Sequence, residues 1–377
     1  MNEIIHIEAI DPFVTESSGI KTYILNIVEN VKEYKYKIIG IKISKNEKKI
    51  NNLNFESIMN IKEKEYLKQL IPINLRFALK IFKLRLKKSF NKQIIQTHRI
   101  ESSLPLAIFK GDYKLITTMH GITSKYLPEK FKGPKKALVR IIYSLLEKVV
   151  FNKSEKIICV SKTSLKYYKK RYPQIKEKFV WIPPMVNPNK FFIVNRNLAR
   201  RKLGLSNKKN IAMFIGRIDI VKGIDLIINS VKNKKDIELI IIGNGKEEDK
   251  YKKIIIKEKI SNIRILDAIE NEKLKYYINS SNVVCLSSHF EGTPLVILEA
   301  LSCGVPVIST NVGDIRFIIN KNNGIIINSR NSEEYYNGIK NLLGKKLNRT
   351  NIRRSIEKYY TSNISKKIIE IYKNENR

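Results

Sequence analysis

Short, unbroken runs of isoleucine and valine recur along this chain, each followed by a stretch with helical spacing. That alternation limits the fold more than any other feature. Ile211-Ala212-Met213-Phe214-Ile215 and Leu239-Ile240-Ile241-Ile242 lack the every-other-residue polarity of a half-exposed strand. A strand that is apolar on both faces must be covered on both, and parallel α/β sheets do this with crossover helices. The reading predicts strands at 211–215, 238–242, 263–269, 283–286, 305–309 and 325–327 in the second half. In the first half they fall at 4–9, 37–43, 94–96, 115–119 and 156–160, and a helical tail is expected from Ser355 to Tyr372.

Between the two series, Trp181-Ile182-Pro183-Pro184-Met185-Val186-Asn187-Pro188 opposes regular structure and reads as an interdomain linker, with a boundary near 182–205. A length of 377 residues is long for one core and comfortable for two. The expected fold class is therefore α/β, with two Rossmann-like, doubly wound domains facing across a cleft. Ligands of such sheets bind outside the carboxyl ends of the strands. No G-x-G-x-x-G follows the first strand and no G-x-x-x-x-G-K-[ST] occurs, which disfavours a dinucleotide dehydrogenase and a P-loop enzyme.

Charge is the other unusual property. The chain has 72 Lys and Arg against 35 Asp and Glu, a net charge of +37. Three readings stay open: coding bias toward Lys, Ile and Asn, an anionic membrane surface, and nucleic acid, which is the least favoured for want of a recognisable binding module. A helix spanning Leu75 to Phe90 carries Arg76, Lys80, Lys83 and Lys87 on one stripe with apolar flanks. It is either a core helix with a solvated edge or an interfacial helix. Cys159, Cys285 and Cys303 form no C-x-x-C pair and read as buried, reduced thiols. No leader or membrane-spanning run is visible, so the expected location is cytoplasmic, soluble or peripheral at the inner face of the membrane.

Two stretches carry chemistry. Gly216-Arg217-Ile218-Asp219-Ile220-Val221-Lys222-Gly223 follows a strand and opens a helix, offering a guanidinium and an ammonium to a diphosphate. Further on, Ser288-His289-Phe290-Glu291-Gly292-Thr293-Pro294-Leu295-Val296-Ile297-Leu298-Glu299 sets two carboxylates across a helix start. Thr293 is expected as N-cap with Pro294 at the first helical position. Amides near Thr293 and Leu295 would then favour an anion. In the first half, His120 in Thr118-Met119-His120-Gly121 and His98-Arg99 each end a strand, while His6 and His289 read as structural.

Together with Gly243-Asn244-Gly245 and Cys303-Gly304-Val305-Pro306-Val307, these motifs resemble the nucleotide-sugar domain of the family 4 retaining glycosyltransferases, enzymes of the GT-B fold. The likeness extends along nearly the whole chain. It implies an acceptor-binding domain at 1–185, a nucleotide-sugar-binding domain at 186–355 and a terminal helix at 356–377 that packs back on the first domain. By the same resemblance, Arg217 and Lys222 hold the donor diphosphate, Glu299 binds the ribose hydroxyls, and Glu291 and His120 lie by the donor sugar. Arg217, Lys222, Glu291 and His120 form the implied catalytic set. Gly19, Gly216, Gly243, Gly292, Thr293, Pro294 and Leu295 complete the donor-binding set. Ser18, Gly19, His98 and Arg99 are the implied acceptor side, with Ser18 standing where the family usually has a first glycine. The stretch Pro184-Met185-Val186-Asn187 likewise replaces the usual Asn-Gly-Val-Asp.

The implied function is transfer of a hexose or N-acetylhexosamine from a UDP-sugar, or a GDP-sugar, to a cell-surface glycan or lipid-linked saccharide. The nucleotide sugar is a substrate, and neither a cofactor nor a metal is expected. A nucleotide-sugar epimerase of the same fold, or an inactive homologue that binds glycan or nucleic acid, are the alternatives.

Overall fold

The structure, a computed structural model, describes residues 3–14, 19–43, 50–61 and 72–374. The chain divides into two compact units. One comprises Met1–Pro183 together with Ile364–Arg377, and the other Pro184–Asn363.

The first unit runs through β1 (Glu3–Ile7), α1 (Gly19–Asn30), β2 (Lys35–Lys42), β3 (Leu53–Asn60), α2 (Ile73–Lys87), β4 (Ile94–Thr97), α3 (Ile100–Ile108), β5 (Lys114–Met119), α4 (Thr123–Tyr126), α5 (Pro134–Lys153), β6 (Lys156–Cys159), α6 (Lys162–Arg171) and β7 (Phe179–Trp181). Among the described residues its seven strands lie in the order β3-β2-β1-β4-β5-β6-β7, with every pairing parallel. Ile5, Ile7, Ile95, Leu115 and Ile157 on one face of the sheet cluster with Phe77 and Ile81 of α2 and Val150 and Phe151 of α5. Connections that run β3 to β4, β4 to β5 and β5 to β6 all step the same way across the sheet, so right-handed crossovers place α2, α3 and α5 on one face. The connection from β1 to β2 steps the other way and puts α1 on the opposite face.

The second unit contains α7 (Arg196–Lys202), β8 (Asn210–Ile215), α8 (Ile224–Val231), β9 (Ile237–Ile242), α9 (Glu248–Lys257), β10 (Ile263–Leu266), α10 (Asn271–Ser280), β11 (Val283–Leu286), α11 (Leu295–Ser302), β12 (Val307–Thr310), β13 (Gly324–Ile327), α12 (Ser332–Gly344) and α13 (Arg349–Arg354). Its six strands, also all parallel, lie in the order β10-β9-β8-β11-β12-β13. The strand order reverses between β1 and β4 in the first sheet and between β8 and β11 in the second. These reversals are where an open α/β sheet leaves a crevice for ligand.

The structure departs from the sequence reading at several places. β3 and β7 were not expected. β3 is an edge strand whose Asn54, Glu56, Ser57 and Asn60 break the apolar pattern, and β7 is three residues long beside a proline pair. The proline-rich stretch is pinned rather than loose: Val186 N donates to Tyr359 O at 3.0 Å and Thr361 N to Val186 O at 3.1 Å. α11 begins at Leu295 with Pro294 as its N-cap in extended geometry (φ −70°, ψ 121°), so Thr293 is not the cap. A proline favours an extended residue before it, which moves Thr293 one step outside the helix. The tail is also not one helix. α13 gives way to a short 3-10 turn at Glu357–Tyr359 before α14 (Thr361–Asn374).

Most of α14 belongs to the first unit. It buries Ile364, Ile368, Ile371 and Tyr372, a single stripe at helical spacing. Tyr372 Oη donates to Gln96 Oε1, and Gln96 Nε2 donates to Thr118 Oγ1 at 2.7 Å, which ties the last helix to two strand ends. Replacing Tyr372 by Phe strands a buried acceptor and is expected to cost about 1–3 kcal/mol. The cavity left by Ile368→Ala is expected to cost about 2–5 kcal/mol. Urea unfolding followed by the fluorescence of Trp181, the chain's single tryptophan and a residue of this unit, measures both.

Candidate active site

In the second unit the loops that leave β8 and β9 lie backbone against backbone. Gly216 N donates to Ile242 O at 3.0 Å and Ile218 N to Asn244 O at 2.9 Å. A Cβ on Gly243, whose φ is +142°, would sit 2.0 Å from Gly216 O. No side chain fits there, so Gly243 shapes the Gly216-Arg217 turn from behind.

The Lys222–Gly223 end of that loop is tied to the loop leaving β11. His289 N donates to Val221 O at 2.8 Å, and Ser287 Oγ donates to Gly223 O at 2.7 Å. Arg330, just past β13, donates through Nη1 to Ser287 O at 2.7 Å and lies against Gly223. Gly223 adopts a left-handed φ of +56°, and a Cβ there would meet Arg330 Nη2 at 2.4 Å. With the loops held in this way, Lys222 Nζ reaches Glu291 Oε1 at 2.6 Å, and Ser288 Oγ donates to the same oxygen at 2.7 Å. Both charged side chains are largely shielded from water, so this pair is stronger than a surface ion pair.

Arg217 is different. Its side chain is mostly exposed and its Nε donates to Asp219 Oδ2 at 2.9 Å. Gly292 O accepts from Asp314 N at 2.9 Å, fixing the turn that leads through Thr293 and Pro294 to the first residue of α11, Leu295. Glu299, one turn into α11, is buried, and burial raises its carboxyl to about 7 against the opposing pull of Lys190. The structure thus gathers Gly216, Lys222, Gly223, Glu291 and Gly292 at the β8/β11 reversal. Arg217 lies on the same loop, and Glu299 on the helix that follows.

In the first unit, three imidazoles form a chain across β1, β4 and β5. His6 Nδ1 lies 3.1 Å from His98 Nε2, and His98 Nδ1 lies 3.2 Å from His120 Nε2. Burial holds all three below the usual imidazole range, to about 3 for His6 and His120, with neighbouring charge on Arg99 pushing the same way at His98 and His120. A neutral imidazole has one N–H, so the hydrogen bonds must run in one direction along the chain. Among the described residues His6 Nε2 is buried without a partner. A bare lone pair is easier to bury there than an orphaned N–H, which favours donation from His6 to His98 to His120. His120 then offers Nδ1–H. The ring of Tyr23 in α1 stands edge-on to His120 with centroids 5.1 Å apart. His6, read from sequence as structural, is the first member of this chain.

Arg99 is anchored rather than open. Its Nε donates to Glu8 Oε1 at 2.7 Å, and Glu8 is buried just past β1. Gly19 opens α1, and among the described residues nothing beyond its own chain neighbours and helix backbone lies within 4 Å of where its Cβ would be. Ser18 lies outside the described residues. Sequence reasoning missed Glu8, Tyr23, Ser288 and Arg330. Glu8 and Arg330 share one signal, a charged residue soon after an apolar strand. Cys159, Cys285 and Cys303 are buried free thiols. Among the described residues no cluster of His, Cys, Asp or Glu is arranged to hold a metal ion.

Both units resemble known proteins. Residues 195–359 match the family described as Glycosyl transferases group 1, and residues 18–190 match Glycosyltransferase Family 4. An uncharacterised glycosyltransferase of Methanocaldococcus jannaschii is 24% identical over 320 residues, 84% of this chain and 82% of that protein. Among solved structures, a sucrose-phosphate synthase from Thermosynechococcus elongatus aligns with a TM-score of 0.81 at 18% identity, covering 99% of both chains. HepE of Anabaena, solved in complex with UDP and glucose, aligns with a TM-score of 0.74 at 16% identity over 99% of this chain and 100% of its own. With both units matched in sequence and the GT-B fold shared, the chain belongs to the family 4 glycosyltransferases.

Proposed function

We propose that this enzyme transfers a sugar, with retention of anomeric configuration, from a nucleoside-diphosphate sugar to a saccharide acceptor, free or lipid-linked. The observation that carries the reading is the shielded Lys222–Glu291 pair at the β8/β11 reversal, with Arg217 on the adjoining loop and Glu299 beyond it. The UDP held by HepE supports a uridine donor, with a GDP-sugar as the second donor class.

In this reading Arg217 and Lys222 bind the diphosphate, and the start of α11 adds its dipole to theirs. The anomeric C–O bond breaks through an oxocarbenium-like state, and the developing phosphate charge is met by cations already in position. The acceptor oxygen attacks from the face the diphosphate is leaving, and its proton passes to a departing phosphate oxygen. Glu291 accepts from Lys222 and Ser288 and takes a sugar hydroxyl as a further donor, so it binds rather than attacks. Glu299 accepts from the ribose diol. His120 presents its N–H to the sugar, and His98 and His6 set that polarity. No metal or cofactor takes part.

Three outcomes follow. Lys222→Met is expected to lower kcat by about 10²–10³ fold in a nucleotide-release assay, with the fold intact by circular dichroism. Proton NMR of the product is expected to show the donor's anomeric configuration, and an inverted product overturns the mechanism. The third concerns pH. Glu299 has a free-state carboxyl near 7 and binds ribose when ionised, so donor must displace a proton below that value. Donor affinity measured by calorimetry is therefore expected to weaken as pH falls from 7, approaching tenfold per pH unit. Glu299→Gln is expected to bind weakly with that pH dependence removed.

A further inference from the structure

Exposed large apolar side chains are not scattered evenly over this protein. On α5, Leu138, Ile141, Ile142, Leu145 and Val149 are 41–59% exposed. On α2, Leu75, Leu79, Phe82 and Leu86 are 37–63% exposed. In the second unit the exposed large apolar residues, such as Leu198, Ile220, Ile256 and Phe290, stand singly on different elements. Single exposed side chains are ordinary, whereas a continuous stripe marks a surface that something covers.

Each residue of a helix advances about 100° around its axis, which fixes where the charges fall. On α5 the apolar stripe lies opposite Glu147, the helix's one carboxylate, which is buried and accepts from Ser124 N, Tyr168 and Tyr172. Lys135 and Lys153 lie about 60° to one side of the stripe's centre and Lys148 about 80° to the other. Lys136 and Arg140 point away and pair with Glu129, the acid next to the helix. α2 has no acidic residue. Its basic stripe of Arg76, Lys80, Lys83 and Lys87 runs along one edge of its apolar stripe. α2 and α5 both pack on α3, on the same face of the sheet, so the two apolar stripes belong to one side of the first unit.

We propose that this side of the first unit docks on an anionic bilayer, with the leucine and isoleucine stripes of α2 and α5 at the acyl boundary and the flanking lysines among headgroup phosphates. The chemistry selects that occupant. Nucleic acid has phosphates but no use for two exposed aliphatic stripes, and a second copy of this face would set lysine rows against lysine rows. An anionic membrane meets both needs at once. The inference deepens the proposed function by giving a lipid-linked acceptor a surface on which to meet the enzyme.

Co-sedimentation of the full chain with sucrose-loaded vesicles tests it. Binding is expected to vesicles of equal parts phosphatidylglycerol and phosphatidylcholine and not to phosphatidylcholine alone, and to weaken from low to high salt. Ile141→Glu with Leu145→Glu is expected to reduce partitioning at least tenfold. Lys135→Ala and Lys148→Ala are each expected to reduce it about fivefold. All four substitutions are on the exposed face, and unchanged thermal melting confirms that each variant is folded. Donor binding by calorimetry and donor hydrolysis without vesicles are expected to be the same in all variants, so loss of those activities would count against the transfer reading and not against docking. Absence of vesicle binding by the wild-type chain overturns the proposal. So does a wild-type dimer on size exclusion that Ile141→Glu with Leu145→Glu dissolves while vesicle binding persists.

Discussion

Parallel pairing sends every strand of a sheet to finish on the same edge, and the function of this protein depends on that constraint. Six strand ends in one unit and seven in the other supply the loops from which a site can be built. The reversal of strand order then opens those loops at one place in each unit. At β8/β11 the place is filled by charge, with Lys222 on Glu291 and Arg217 beside Asp219. At β1/β4 it is filled by burial, with neutral imidazoles and the anchored Glu8–Arg99 pair. One topology therefore makes two electrostatically different ends.

The placement of the charged loops in the second unit was readable from sequence because its demands are local. Gly216, Lys222, Glu291 and Glu299 fall at fixed distances from strands whose Ile/Val runs are plain, and a turn or a helix start carries each side chain to its place. Residues whose role depends on another element were not readable. Arg330 matters because of Ser287 and Gly223, more than a hundred residues away for the latter, and nothing in its neighbours says so. His6 lies inside an apolar strand, and its link to His98 spans 92 residues. The misassigned cap at Thr293 is a different case. There a local rule for threonine competed with a stronger local rule for proline, and the proline decided.

Burial has opposite effects on the two sets of titratable groups. For histidine it removes the charged form, leaving a chain of neutral rings whose hydrogen bonds must share one direction. For Glu299 it raises the carboxyl toward neutrality, so its charge is marginal without ligand. The lysines that flank the apolar stripes of α2 and α5 are exposed, outside these buried sets.

The return of α14 to the first unit has a consequence for how the chain is made. The hydrophobic stripe of Ile364, Ile368, Ile371 and Tyr372 completes a body whose other residues end at Pro183. A ribosome adding roughly 5–20 residues per second needs on the order of 10–40 s to synthesise the intervening second unit. During that interval the first unit stands with the seat of its last helix uncovered, and Gln96 waits for Tyr372. The second unit, being continuous in sequence, is complete before the first. The order in which the two units are completed is thus the reverse of the order in which they begin.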